Sequence, residues 1–137
     1  MGYQDKNLKY INAGAYDKRG ENSILEKYVL SLWQPFLKNK IADLSGDKVV
    51  ADLGCGTGEY LLAAKKAKKI YAVDISSEML KICREKLKNF NQLEIIESRV
   101  ENFNIPSNES ADLVITIGVW EYINPRDLYA KIKEMTR

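Results

Sequence analysis

The sequence contains no histidine, and its 137 residues include two cysteines and three prolines. Without histidine, neither a Ser-His-Asp triad nor a histidine general base can be assembled from within this chain. Cys55 and Cys83 form no CxxC pair, so no zinc pattern exists and no metal is expected. Charge of one sign is also scarce: 21 basic residues face 19 acidic ones, a net of +2. That argues against a nucleic-acid partner, which calls for a basic stripe or a markedly basic domain. Long hydrophobic runs are missing too. The longest, Leu113 to Trp120, is too short to span a bilayer, and no membrane partner is expected. The first twenty residues are too polar for a signal peptide. Lys6 breaks the myristoylation pattern that Met1-Gly2 would open. The expectation is a reduced, cytoplasmic protein with both cysteines structural.

What is present is ordinary for a soluble globular domain: 45% hydrophobic and 29% charged residues. The length suffices for one domain with a real core. Residues 1–21 are polar, with Tyr3, Tyr10 and Tyr16 spaced through them, and read as a loose N-terminal arm; residues 22–137 form the domain. Ser23-Ile-Leu-Glu26 is a capping box that starts a helix. Leu25, Val29, Leu32 and Phe36 share one face of it, and Pro35 is expected to kink or restart it.

Strands are then predicted at Val49–Leu53, Ile70–Asp74, Leu93–Glu97 and Leu113–Ile117. Helices are predicted between them at about Gly58–Lys68 and from Ser76, a good N-cap. On the second of these, Leu80, Cys83, Leu87 and Phe90 recur at helical spacing. A last helix has Asn124 as N-cap, Pro125 at its first position, and Leu128, Ile132 and Met135 on one face. Lys65, Lys66, Lys68 and Lys69 read as a solvated helix end, favourably placed on the dipole. Alternating strand and helix implies an α/β fold with a Rossmann-like parallel sheet and helices on both faces.

The stretch Val49-Val-Ala-Asp-Leu-Gly-Cys-Gly-Thr-Gly58 carries the functional signal. It is a short apolar strand running into a glycine-rich turn, with glycines at 54, 56 and 58. Glycine lets bare backbone approach a ligand and tolerates φ > 0. A helix start after the turn would aim N–H groups and partial positive charge at that ligand. A second apolar strand then ends in Asp74. Strand, glycine turn, helix, strand, acid is the layout of a nucleotide-type cofactor site. The dinucleotide fingerprint G-x-G-x-x-G would require glycine at 59, where Glu59 stands.

The observed pattern, D-x-G-x-G-x-G from Asp52 to Gly58, resembles motif I of the class I S-adenosylmethionine-dependent methyltransferases. Asp74 matches that family's acid at the end of the second strand. Ala111-Asp-Leu-Val-Ile-Thr-Ile-Gly-Val-Trp-Glu-Tyr-Ile123 matches its fourth-strand motif. The resemblance runs from about Ile24 to the C-terminus. It implies three more strands than the four found here. The chain would then be a truncated catalytic domain, a deliberately shortened one, or a protein whose fourth-strand edge another chain covers. Left open, that edge would favour self-association.

By this resemblance S-adenosylmethionine is the cofactor. Gly54, Cys55, Gly56 and Gly58 would lie against its methionine part. Asp52 would orient the turn and reach the cofactor's amino group, or else cap the loop amides. Asp74 would accept from both ribose hydroxyls, the alternative being an N-cap for the next helix. Ile75 and Met79 would wall the adenine, with Met79 equally suited to helix packing. After the third strand the family carries an acid for the adenine amino group. Arg99 stands there instead, and arginine accepts nothing. That contact would come from backbone at Arg99–Val100, from Glu101, or be absent. Ile117 and Gly118 would flank the cofactor.

Trp120, Glu121 and Tyr122 would lie at the mouth as candidate catalytic residues, with core packing the alternative for Trp120 and a turn cap for Glu121. Gly118-Val-Trp-Glu121 replaces the N/D-P-P-Y/F signature of nucleic-acid amino methylation, which favours a small-molecule acceptor. The rival readings are a cofactor-binding module without turnover, a protein or RNA methyltransferase, and an NAD-linked oxidoreductase, against which the glycine spacing counts.

Overall fold

A computed structural model of the chain describes residues 24–119 and 122–136. Helix α1 spans Ile24–Leu44, strand β1 Val49–Leu53, β2 Lys69–Asp74, helix α2 Ser77–Lys86, β3 Leu93–Glu97, β4 Leu113–Ile115 and helix α3 Pro125–Met135. Single 3₁₀ turns occur at Tyr60–Ala63 and Val100–Asn102.

The four strands form one parallel sheet in the order β3-β2-β1-β4. Central β1 and β2 are nearly continuous runs of apolar residues, as strands covered on both faces should be. Successive side chains go to opposite sides. Ala51, Leu53, Tyr71 and Val73 pack with Leu128 and Met135 of α3. Val50, Ile70 and Ala72 pack with Ile41 of α1 and Cys83 and Leu87 of α2. Helices therefore cover both faces. Fully buried aliphatic side chains such as Leu53, Ile70 and Leu128 contribute roughly 1.5–3 kcal/mol each.

The caps fall where expected. Ser76 accepts from the Met79 amide at 3.3 Å, and Asn124 accepts from Arg126 N at 2.9 Å, each satisfying an orphan donor of a first turn.

Four expectations are corrected. The helix expected over Gly58–Lys68 is only the 3₁₀ turn Tyr60–Ala63. Leu61 and Ala64 are buried there, and the backbone beyond it bonds to the loop before β1: Lys66 O accepts from Asp47 N at 2.8 Å and Lys68 N donates to Lys48 O at 2.9 Å. Of the two effects expected of Pro35, the restart alone is overturned: helix α1 runs on to Leu44, since proline removes one backbone donor and the other turns keep theirs. Its Leu25, Val29, Leu32 and Phe36 face is exposed, and core contact is made near its end by Ile41. Strand β4 stops at Ile115, two residues early, because its register with β1 covers Leu113–Ile115 alone.

The lysines after the 3₁₀ turn do not end a helix either. Lys69 opens β2, lies 4.6 Å from the Tyr71 ring centroid and pairs with Glu109 at 3.3 Å. The N-terminal arm and Ser23 of the capping box lie outside the described residues.

Candidate functional site

The carboxyl ends of β1, β2 and β4 meet at one edge of the sheet, where β1 lies between β2 and β4. The chain leaves β1 for β2 on one side, and β4 returns on the other. In an open parallel sheet that reversal opens a crevice for ligands. Loops from three strands converge there.

The loop after β1 is anchored to β2. Gly54 N and Cys55 N both donate to Val73 O, at 2.8 and 3.0 Å. Gly56 N donates to Asp74 Oδ2 at 2.8 Å. The other oxygen, Oδ1, accepts from Ser76 N at 2.8 Å. Ser98 N, leaving β3, donates to Asp74 O at 2.9 Å. Asp74 thus ties the three loops together, and the alternative of Asp74 as the cap of α2 is overturned, since that cap is Ser76. Each oxygen holds one amide and retains a second lone pair for a hydroxyl.

Gly54, Gly56, Gly58 and Gly118 all have positive φ, between 54° and 77°, a region costly for other residues. Two of them are also pressed by the protein itself. A β-carbon on Gly54 would lie 2.5 Å from Val119 Cγ2, and one on Gly58 would lie 2.7 Å from Cys83 Sγ. Those two glycines are thus required by packing, independently of any ligand. Val119 also seats the Ile117–Val119 loop beside the turn. Ile117 is half-buried and Gly118 exposed.

Asp52 is 3% exposed. Burial, reinforced by the Asp74 charge, pushes its carboxyl up to about 8. Among the described residues no cation or donor offsets that shift. A buried carboxyl beside a second acid is prepared for a cationic group. Cys55 is half-buried, and its thiol is held above its ordinary range by hydrogen bonding to Cys83 and by burial.

The remaining residues distribute as follows. Ile75 is exposed, while Met79 is buried, which favours the packing role for Met79. Val100 is buried. Arg99 Nη2 lies 3.5 Å from Glu101 Oε1, so the two share one ion pair in the loop after β3. Tyr122 packs partly buried against the α3-side core, and its amide donates to Val119 O at 3.0 Å. Trp120 and Glu121 lie outside the described residues. The sequence reading missed Val119 and the partners of Glu59, namely Lys38 and Lys86. No spacing rule joins positions 38, 59 and 86.

A model of the methyltransferase domain matches residues 50–137, from β1 through α3. The chain belongs to the class I S-adenosylmethionine-dependent methyltransferase family. A demethylmenaquinone methyltransferase of Staphylococcus carnosus is 27% identical over 126 residues, which span 89% of this chain and 50% of that protein. An uncharacterised RNA methyltransferase of Clostridium tetani is 36% identical over 74 residues, 53% of this chain and 14% of that one. A SAM-dependent methyltransferase of Aquifex aeolicus shares the fold, with a TM-score of 0.70 and 22% identity over 93% of this chain and 68% of that one. The chain thus spans half or less of the two curated relatives.

The site's chemistry fits the family's cofactor. S-adenosylmethionine carries an ammonium, a ribose diol and an adenine. Asp52 offers a buried acid without a cation, and Asp74 offers two oxygens with spare lone pairs. The glycine turn offers backbone held at positive φ. Among the described residues no helix is long and apolar enough to cross a membrane.

Proposed function

We propose that this domain binds S-adenosylmethionine in the crevice at the carboxyl ends of β1 and β4 and transfers its methyl group to a small-molecule acceptor. The observation that carries this reading is the convergence of the glycine turn, Asp52 and Asp74 at one end of the sheet.

The cofactor supplies an already activated electrophile, a methyl on a sulfonium. What the chain contributes is then proximity and orientation, so a histidine base is dispensable. Asp74 orients the ribose through its second lone pairs. Asp52 would hold the cationic amino end as a carboxylate, its proton released to solvent on binding. Gly56 admits the methionine backbone. Ile75 covers one side of the adenine, and the Ile117–Gly118 loop closes the other flank. Trp120, Glu121 and Tyr122 are the candidates for contact with the acceptor.

The small-molecule reading is supported by the near-neutral charge of +2, by Gly118-Val-Trp-Glu121 where an amino-methylating signature would stand, and by the relative that aligns along 89% of the chain. The unpaired thiols Cys55 and Cys83 support a reduced, cytoplasmic setting.

The test is titration calorimetry with S-adenosylmethionine, followed by an S-adenosylhomocysteine assay with a quinol acceptor and with RNA in parallel. Binding plus quinol-dependent product supports the proposal. Product with RNA alone overturns the acceptor class. Binding without product from either makes the chain a cofactor module.

A further inference from the structure

Behind the glycine turn lies a group of charges that the cofactor reading leaves unused. Lys86, in the last turn of α2, donates to Thr57 Oγ1 at 3.1 Å and to Glu59 Oε2 at 2.9 Å. Lys38 of α1 donates to the other oxygen, Oε1. Thr57 is buried, and the three charged groups are between one fifth and one third exposed. Burial alone would raise the Glu59 carboxyl; the bonds from Lys38 and Lys86 outweigh it and hold the group below its ordinary range. Glu59 is therefore an anion with a cation on each oxygen, joining two helices to one turn.

The turn has need of such a hold. Its first half is fixed from β2, through Val73 O and Asp74. Its second half, from Thr57 onward, has among its holds the local bond Gly58 N to Cys55 O at 2.9 Å, the packing of Gly58 on Cys83 and a single 3₁₀ turn. The long helix that would otherwise anchor it is missing. Ion pairs that leave solvent partly behind do more for geometry than for net stability.

We infer that Glu59, gripped by Lys86 and Lys38, is a positioning residue for the cofactor, fixing the second half of the glycine turn against α1 and α2. The inference rests on the reading that this turn binds S-adenosylmethionine. It also gives a physical reason for the glutamate at 59, where a dinucleotide turn would carry glycine. Glycine there would delete the hub and release both helices from the turn.

The experiment is calorimetry of S-adenosylhomocysteine on the full chain, with the melting temperature of each unliganded variant recorded alongside. Glu59→Gln and Lys86→Met should each weaken binding about tenfold, as expected for loss of a charge-assisted contact. The double variant should lose less than the sum of the two singles, because the Lys86–Glu59 pair is lost in both. Lys86→Arg, which keeps the charge, should stay within about threefold of wild type. Affinities within about twofold of wild type in both singles, with lowered melting temperatures, would make the cluster merely structural. Additive losses would show that Lys86 and Glu59 act separately, and would equally overturn the inference. If Lys86→Met does not fold, Lys38→Met takes its place, and an unchanged affinity in that folded variant overturns it. Asp74→Ala separates the two levels. If it weakens binding while Glu59→Gln and Lys86→Met do not, the inference alone fails; if it too has no effect, the site assignment fails and the inference with it.

Discussion

Asp52 and Asp74 sit on neighbouring strands. Asp74 is half-buried and holds two amides; Asp52 is buried, and burial together with the Asp74 charge raises its carboxyl. An unfolded aspartate ionises near 3.8, whereas folded Asp52 keeps its proton up to about 8. Between those values the folded state binds more protons, so stability falls as pH rises through the window and levels off above it. Asp52→Asn should flatten that fall. Melting temperatures of the two proteins should converge at acid pH and favour the variant at alkaline pH; parallel curves would refute the assignment. A cationic ligand favours ionised Asp52, so S-adenosylmethionine affinity should rise with pH toward the alkaline side in wild type and stay flat in Asp52→Asn. Asp74→Ala removes the anchors of Gly56 N and Ser76 N and, on the proposed reading, the ribose contacts. Affinity for S-adenosylmethionine and S-adenosylhomocysteine should drop at least about tenfold, given roughly 1.5–3 kcal/mol per charge-assisted bond. Stability should drop as well, read from the same melting curves. A loss confined to one of the two ligands would mean that Asp74 does not read ribose. At Gly56, φ is 54° and the residue is buried. Gly56→Val should abolish binding while leaving the helical circular dichroism intact, and calorimetry showing unchanged affinity would remove the turn from the site.

At the scale of elements, the glycine turn and α1 depart most from what periodicity implies. A helix after Gly58 would have brought a macrodipole to bear on the ligand. The 3₁₀ turn Tyr60–Ala63 brings almost none, so the turn's geometry is set by side chains instead, through Asp74 in front and Glu59 behind. Helix α1 has the opposite surprise. It continues through a proline and presents an apolar face outward, with Leu32, Trp33 and Phe36 all more than half exposed. Proline inside a helix costs up to about 3 kcal/mol relative to alanine. Pro35→Ala should restore the donor toward Ser31 and raise the melting temperature. A lower melting temperature would show that the proline ring itself packs favourably there.

At the scale of the whole molecule, the parallel sheet has β3 at one edge and β4 at the other. Strand β4 is three residues long and pairs with β1 on one side. Short edges pair weakly with other chains but are not inert. We expect concentration-dependent self-association of this 137-residue chain, detected as a sedimentation coefficient that climbs with concentration. A single invariant value with cooperative melting would show that the four-stranded unit tolerates its own edge. The two faces are otherwise closed, by α1 and α2 on one side and α3 on the other.

The sequence by itself determined the strands, two helix starts and the family. These rest on local physics: apolar runs for buried strands, Ser76 and Asn124 as caps, and glycines at positive φ that no other residue adopts cheaply. Spacing alone separated the turn from a dinucleotide fingerprint at Glu59. Tertiary structure decided what depends on distant partners. It set the length of β4 by register with β1 and cut the helix after the turn by bonding Lys66 and Lys68 to the loop before β1. It also faced the apolar side of α1 outward, assigned Gly54 and Gly58 to packing against Val119 and Cys83, and placed the proton on Asp52. It brought Lys38 and Lys86 onto Glu59, a meeting with no sequence signature, because side chains 21 and 27 residues away become neighbours only once the sheet has formed.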